Sequence, residues 1–265
     1  MLNDSKALKL ILLAAFIVAA LISLSIRLSW SHNQKEADFA ASSSTSVTIN
    51  AVDSAISVRR SEDGRVHARL AHSSKMSATE KGNEIIIDVA KTNGLGMLEV
   101  TLPPELSAIT VKNVSGRTEI ASAKADGISV SSVSSSIELL SSEARAIDIV
   151  AVSGSVEAKD LKGSDISIKT VSGEIEAYGL ESDSIRLETV SGSVYADAAF
   201  SSLDASSKSG EIEIDGEGGY EAEWKTTSGS VEINGRTAAK SGKEKIGEGE
   251  GRADISTISG SIELR

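Results

Sequence analysis

The side chains in this sequence that could do chemistry are glutamates repeated at a fixed interval. They stand four residues after a recurring serine, and Tyr195 takes the equivalent place in one repeat. They are Glu119, Glu138, Glu157, Glu176, Glu213, Glu232 and Glu263. If the repeats stack as parallel strands, neighbouring carboxylates lie about 4.8 Å apart. The flanking outward position carries mostly serine, with Arg117 as its only cation, so we expect little charge compensation along this glutamate row.

Three interpretations of the row are open. The row is a solvated face that resists aggregation, a stripe that attracts cations or binds a polymer, or the source of a glycosidase or lyase pair. The first is favoured over catalysis, because catalytic carboxylates need unlike environments to separate their pKa values and a uniform row supplies none.

Other chemistry is poorly represented in the composition. The chain has no cysteine and three scattered histidines, His32, His67 and His72, and it lacks GxSxG, P-loop and HExxH motifs. We therefore expect no catalytic residue, no cofactor and no metal site. The net charge of −11 also argues against nucleic acid as a partner, because binding a duplex needs clustered lysine and arginine.

The elements that position the glutamates are repeats, each centred on an anchor serine. The anchor serines are Ser115, Ser134, Ser153, Ser172, Ser191, Ser209, Ser228 and Ser259, at spacings of 19, 19, 19, 19, 18, 19 and 31 residues. A fixed period of this size is typical of a solenoid, in which each repeat buries its apolar face against its neighbours.

Apolar residues define two strands in each repeat. In the fourth repeat, Ile166 and Ile168 precede the anchor and Ile175 and Ala177 follow it, each pair in the alternation of a half-buried strand. The residue before the anchor, such as Val171, is also apolar and breaks this alternation, so we expect it to be buried where the chain bends. The pattern predicts an all-β, right-handed parallel β-solenoid of eight coils, each coil being one turn of about 19 residues.

Glycine follows the anchor in seven of the eight repeats, and Ser135 is the exception. This predicts a corner whose backbone angle disfavours a side chain, with a ladder of serines whose hydroxyls satisfy backbone groups. The predicted structural corners are Ser115, Gly116, Ser153, Gly154, Ser172, Gly173, Ser191, Gly192, Ser209, Gly210, Ser228, Gly229, Ser259 and Gly260.

The chain divides into four parts. Residues 1–30 are predicted to form a cytoplasmic tail and a transmembrane signal-anchor helix, since residues 10–26 carry no charge; a cleaved signal peptide is the competing interpretation. Residues 31–46 read as a flexible tether, and residues 47–104 as a β-rich N-terminal cap. Residues 105–265 contain the solenoid repeats, with a loop insertion at 235–253.

The repeated TVSGSVEA-type strands, the Leu102-Pro-Pro-Glu105 stretch leading to Val111-Lys-Asn-Val-Ser-Gly116, and the N-terminal anchor resemble the bacterial putative-adhesin family. That family comprises β-strand-repeat envelope proteins related to autotransporter-adhesin head domains, and the resemblance covers about residues 47–265. It implies a β-solenoid outside the cytoplasmic membrane and supplies no catalytic motif.

These observations favour a non-catalytic, adhesin-like interaction or structural module of the bacterial cell envelope. The protein would be single-pass in the cytoplasmic membrane, with its C-terminal domain at the cell surface or in the periplasm. The alternatives are a sensory or regulatory module of an envelope-stress system and, less favoured, a carbohydrate-active enzyme. Expected partners are the membrane and envelope proteins or glycans. We also expect end-to-end self-association through an exposed strand edge at Ile262 in the last coil.

Overall fold

The computed structural model describes residues 35–71, 75–90 and 96–265, and every regular element in these ranges is a β-strand. The strands are β1 (Glu36–Ala40), β2 (Ser46–Arg60), β3 (Arg65–Ala71), β4 (Met76–Lys81), β5 (Glu84–Val89), β6 (Gly96–Leu102), β7 (Leu106–Ala121), β8 (Lys124–Leu140), β9 (Glu143–Ser153), β10 (Val156–Lys159), β11 (Lys162–Ser172), β12 (Ile175–Ser191), β13 (Val194–Ser209), β14 (Ile212–Gly216), β15 (Gly219–Ser228), β16 (Val231–Ile233), β17 (Arg236–Ala238), β18 (Ser241–Gly247), β19 (Gly251–Ser259) and β20 (Ile262–Leu264).

The helix expected at residues 10–26 lies outside the described ranges. Inside them, nothing helical has the length and hydropathy that crossing a membrane requires.

The predicted repeats stack in parallel with the expected register. Ile109 is paired with Ile128, Ile147 with Ile166, and Ile175 with Val194, so each strand aligns with the equivalent strand one repeat later. The all-β repeat architecture is confirmed, and the right-handed sense stays a prediction. The one 18-residue spacing corresponds to a register shift at Tyr178 and Leu180, where β12 carries an extra residue relative to β13.

Aliphatic side chains pointing between the two strands of each coil form the core. Ile166, Ile168 and Ile175 are fully or almost fully buried, which agrees with the predicted strand phase. Val171 differs, because it lies at the corner and is only half-buried. The bend turns this side chain away from the core, so the expectation that Val171 is buried was wrong.

The N-terminal region contains two coils that the sequence pattern missed. Strand β2 runs parallel to β7 along its whole length, with Asp53 opposite Ser115, and is therefore a coil rather than part of a cap. On its other side β2 pairs in parallel with β5 and with β6, which together make a second coil. With these two, the array has ten coils among the described residues.

Antiparallel strands close this end of the array. Strand β4 pairs with β5, β3 pairs with β6, and β1 pairs with β3. Residues Glu36–Ala40 therefore form a strand inside the predicted tether of residues 31–46, and that part of the prediction was wrong. The pairing is reinforced by Arg65, which donates to Asp38 across 2.6 Å.

The C-terminal end departs from sequence order. Strands β19 and β20 pair in parallel with β13 and β14 on one side and with β15 and β16 on the other. The eighth repeat therefore lies between the sixth and the seventh. Because β20 is paired on both sides, Ile262 does not lie at an exposed edge, and the expected basis for end-to-end self-association was wrong.

The insertion at 235–253 is not a loop. It contains β17 and β18, which run antiparallel to β16 and β15 and cover the outer edge of the seventh repeat, followed by the start of β19. The turn before β17 has positive φ at Asn234 (48°) and Gly235 (74°), which suits a two-residue hairpin. Both ends of the array thus carry an antiparallel outer layer, in the manner of capping repeats.

Candidate functional site

The glutamate row exists, in an order that follows the coils rather than the sequence. Glu119 is paired with Glu138, Glu138 with Glu157, and Glu157 with Glu176. Tyr195 follows, and then come Glu213, Glu263 and Glu232. The last two are exchanged relative to the sequence because the eighth repeat lies inside the seventh. All project from the second strand of their coils onto one outward sheet face.

Arginines compensate four members of the row. Glu119 accepts a hydrogen bond from Arg59 at 3.2 Å, and Glu138 pairs with Arg117. Beyond Tyr195, Arg265 contacts both Glu213, at 2.7 Å, and Glu263. Arg117 is therefore not the only cation available, and the expectation of little compensation holds for Glu157 and Glu176 at the centre and for Glu232 at one end, which form no ion pair with a described residue.

At that centre, Glu157 and Glu176 form no ion pair with any described residue. Next to them stand Tyr195, in the same column, and Tyr178, which is 40% exposed. Partial burial raises the pKa of Tyr178, and the negative charges of Glu176, Glu174 and Glu213 raise it further. We call Glu157, Glu176, Tyr178 and Tyr195 the row centre. It is an acidic patch with two aromatic rings on a flat sheet.

A second column of charges on the same coils behaves differently. Where each coil begins its first strand, Glu105, Lys124, Glu143, Lys162 and Glu181 follow one another with alternating sign. Lys124 lies 3.6 Å from Glu105 and 3.4 Å from Glu143, and Lys162 lies 2.7 Å from Glu181. This mixed-charge ladder went unnoticed in the sequence, although its members recur every 19 residues. It shows that the fold accommodates charge alternation between coils, so the uniform sign of the glutamate row is not imposed by stacking.

The corners form the predicted ladder, for a different reason than the one expected. A Cβ on Gly173 would lie 2.0 Å from the carbonyl oxygen of Gly154, and one on Gly192 would lie 2.0 Å from that of Gly173. Close approach of the neighbouring coil therefore requires glycine, and a left-handed φ accompanies it only at some corners, such as Gly116 (112°).

The anchor serines are paired from coil to coil, as Ser153 is with Ser172 and Ser209 with Ser259. Among them, Ser115 is the one whose hydroxyl reaches a described backbone carbonyl, that of Val52 at 3.1 Å. The expectation that each anchor hydroxyl satisfies a backbone group was therefore wrong, and most anchor serines face solvent.

Hydrogen bonds to backbone carbonyls are made instead by some members of a buried column two residues before the anchor, although the hydroxyls of Thr170 and Thr257 have no described partner. Thr189 donates to Gly173 O at 3.3 Å, Ser207 to Gly192 O at 3.1 Å, and Thr226 to Gly260 O at 3.1 Å. The acceptors are the corner glycine carbonyls of the neighbouring coil. The signal was present in the sequence as a recurrent polar residue at this position: Asn113, Ser132, Thr170, Thr189, Ser207, Thr226 and Thr257.

The described residues contain no group of three or more histidine, aspartate or glutamate side chains placed to hold a metal ion. Glu157 and Glu176 occupy equivalent positions in successive coils, so their environments do not differ in the way that an acid and base pair requires. The glutamate row runs along one outward face of the solenoid. These features define an all-β solenoid whose equivalent side chains form columns along its faces.

Residues 38–265 match the family described as Toastrack DUF4097, and the chain belongs to this family. The comparison with curated protein sequences found no match.

Among solved structures, a putative adhesin from Bacteroides fragilis is 13% identical, with a TM-score of 0.51 over 89% of this chain and 99% of that one. A putative adhesin from Parabacteroides merdae is 7% identical, with a TM-score of 0.41 over 87% and 95% of the two chains. A protein from Parabacteroides distasonis described as a putative lipid binding protein is 12% identical, with a TM-score of 0.37 over 89% and 98%. The first of these similarities establishes the shared fold.

Proposed function

We propose that this chain is a non-catalytic interaction module of the bacterial cell envelope. The helix predicted at residues 10–26 holds it in the cytoplasmic membrane, and the β-solenoid stands outside. Family membership and the adhesin description of the Bacteroides fragilis relative support this proposal. The contact surface in this proposal is the row centre, and its partner is a basic segment of an envelope protein.

The observation that carries the proposal is the contrast between the two charged columns. Like charges opposed across neighbouring strands are destabilising, and the mixed-charge ladder avoids this on the same coils by alternating its signs. Glu157 and Glu176 keep like charges side by side and form no ion pair with a described residue, although the charge of Arg117 still acts on Glu157. A cationic partner would relieve this repulsion. It would therefore gain more binding free energy here than at a site where cations already compensate the carboxylates.

The tyrosines add a second kind of contact with such a partner. Lysine or arginine side chains placed over an exposed ring gain about 0.5–1 kcal/mol, and each exposed ion pair contributes about 0.2–1 kcal/mol. Several such contacts on a flat sheet give weak, salt-sensitive binding that multiple copies on a surface would strengthen.

The test measures binding of a fluorescent oligolysine to the full chain in neutral detergent micelles. We expect E157Q/E176Q to weaken binding several-fold at low salt and Y178S to weaken it less. The matched control is E143Q/E181Q, which makes the same change in net charge on the mixed-charge ladder and should leave binding nearly unchanged.

Equal loss in both double variants would show that only the overall charge matters and would reject the row centre as a site. A parallel measurement with neutral peptidoglycan fragments addresses the glycan alternative, because binding there that depends on Tyr178 and not on salt would overturn the cationic partner. The two alternative functions, a sensory or regulatory module of an envelope-stress system and a carbohydrate-active enzyme, stay predictions.

A further inference from the structure

The internal position of the eighth repeat gives the solenoid a replaceable coil. Strands β19 and β20, the C-terminal coil, are joined to the rest of the described structure only through residues 248–250. The coil formed by β2 is also internal and also lies near an end of the array. It differs from the C-terminal coil because described strands precede and follow it in the chain, so it cannot leave as a terminal segment.

The connection at residues 248–250 is short for the distance it crosses. Strand β15 has β18 on one edge and β19 on the other, with Gly247 opposite Gly219 and Gly251 opposite Tyr220. The chain must therefore cross two strand spacings, about 9.6 Å. The four Cα steps from Gly247 to Gly251 reach about 13–14 Å when fully extended, which leaves little slack.

The crossing is also crowded. A Cβ on Gly249 would lie 2.0 Å from the carbonyl oxygen of Gly219, and one on Gly219 would lie 2.5 Å from that of Ile246. Gly247, Gly218 and Gly219 all have φ in the left-handed region, at 70°, 81° and 98°. A short hinge before a terminal element is the feature that favours exchange between copies, since an opened hinge allows every other contact to be retained.

The place that the C-terminal coil occupies is specific for it. Ala253, Ile255, Ile262 and Leu264 are at most 2% exposed. Backbone bonds hold both edges, including Ile212 N to Ser261 O at 2.9 Å and Ile262 N to Ser230 O at 3.0 Å. An empty slot would expose two strand edges and the core, so a slot that has lost its own coil is best filled by the same coil from a second copy.

We propose that the chain forms a reciprocally exchanged dimer, in which the C-terminal coil of each copy lies between the sixth and seventh repeats of the other. The contacts within each slot are those of the monomer, and residues 248–250 run between the two copies. This self-association replaces edge-to-edge contact and needs no exposed strand edge.

Cysteine trapping tests the exchange directly, because the chain has no cysteine of its own. Ser206 and Ser256 are register partners on β13 and β19, and parallel partners lie within the Cα separation of a disulfide, about 4.4–6.8 Å. Full-length S206C and S256C are mixed, unfolded together, refolded and oxidised. We expect a disulfide-linked heterodimer, seen on a non-reducing gel as dimer in excess of that formed when either variant is refolded and oxidised alone, since the two chains have the same mass.

Two controls define the background. The double variant S206C/S256C shows whether this pair forms a bond when both thiols are available to one chain. A mixture of T110C and S129C places register partners on β7 and β8, which do not exchange, and should give only collisional dimers. Heterodimer at or below that background, with the double variant oxidising normally, would overturn the proposal.

Changing the hinge length gives an independent readout. Deleting Gly249 and Glu250 leaves two Cα steps, about 7 Å, which cannot span the crossing of about 9.6 Å. We expect this variant to be a dimer by light scattering with an unchanged β-sheet circular dichroism spectrum, whereas inserting Gly-Ser-Gly-Ser after Glu250 should shift the chain to monomer. A folded, monomeric deletion variant would refute the exchange, and if that variant fails to fold, the cysteine mixture decides.

Discussion

Replacing Gly173 by alanine tests whether close contact between coils, rather than backbone angle, accounts for the corner glycines. The φ of Gly173 lies outside the left-handed region, so alanine adds no backbone strain there. Its Cβ, however, would lie 2.0 Å from Gly154 O and 2.9 Å from Thr170 Oγ1. Cβ atoms essentially never lie within 3.0 Å of a non-bonded heavy atom, so the two coils must separate locally by about 1 Å to admit the alanine side chain.

The magnitude follows from what that separation disturbs. Overpacking of this kind costs about 1–3 kcal/mol. The backbone bonds on either side, Val156 N to Glu174 O at 2.9 Å and Ile175 N to Ser193 O at 3.0 Å, would lengthen and lose part of about 0.5–1.5 kcal/mol each. We therefore expect G173A to lose about 3 kcal/mol of unfolding free energy, which lowers Tm by roughly 6–12 °C for a domain of this size.

The matched control is G127A. Gly127 lies in β8 between Ala108 and Ala146 in register, and a Cβ there meets nothing within 4 Å. This substitution should be neutral or stabilising by up to about 1 kcal/mol, because it only reduces the freedom of the unfolded chain.

Urea unfolding followed by circular dichroism gives the free energies of both variants. Hydrogen exchange around residue 173 shows whether the loss is local, because long repeat arrays can unfold in parts. If G173A and G127A differ by less than about 0.5 kcal/mol, close packing between coils is not the reason that glycine occupies the corner.

Three further predictions concern the core, pH dependence and the outer edge. Ile175→Lys should prevent stable folding because Ile175 is fully buried, whereas Val171→Lys at the half-exposed corner should cost less than about 1.5 kcal/mol; similar melting temperatures for the two would contradict this assignment. Burial raises the pKa of Asp88, and the hydrogen bond from Asn50 opposes this shift only in part. The folded state therefore binds the carboxyl proton more tightly than the unfolded state does. The stability that this proton contributes is lost as pH rises through the pKa of the unfolded chain and then through the raised pKa of the folded chain. Asp88→Asn keeps an acceptor for Asn50 and should therefore raise Tm at about pH 7, with the gain vanishing near pH 3; a gain that does not depend on pH would point to another cause. Finally, Lys243→Val combined with Lys245→Val on edge strand β18 should speed aggregation, measured by light scattering at 37 °C, with little change in Tm; unchanged aggregation would show that this edge is protected in another way.

The repeats at the centre of the array could be predicted closely because each coil supplies the same physical signals. Residues such as Ile166 and Ile168 must face the core in every coil, and the corner glycines must admit the neighbouring carbonyl. A period of 19 residues therefore fixed both the strand phase and the glutamate row. The column of buried polar residues two positions before the anchor is equally periodic. The backbone hydrogen bonds were nevertheless predicted for the anchor serines, which face outward.

The ends could not be predicted in this way. In the coil formed by β2, Asp53 and Ser54 occupy the places of the anchor serine and the corner glycine. Asp53 lies 62 residues before its register partner Ser115, so neither the residue types nor the spacing of this coil matches the repeat. The order of the last two coils is not readable either, because the seventh and eighth repeats have the same pattern and each fits beside the sixth. What distinguishes them is the antiparallel layer of β17 and β18, which can cover only the outermost coil.

The interleaved order of the last coils also affects how the protein is made. A growing chain delivers β15 and β16 before β19 and β20, although the later pair lies further inside. During translation or export, the sixth repeat therefore meets its permanent neighbour only after residues up to Leu264 have emerged, while the upstream coils form as they appear. In a solenoid whose coils stack in sequence order, a shortened chain forms a shorter array in which the remaining coils keep their contacts with their neighbours. In this protein a chain stopped before Gly251 lacks an inner layer, so incomplete products expose two strand edges and are open to proteolysis and quality control before they can function.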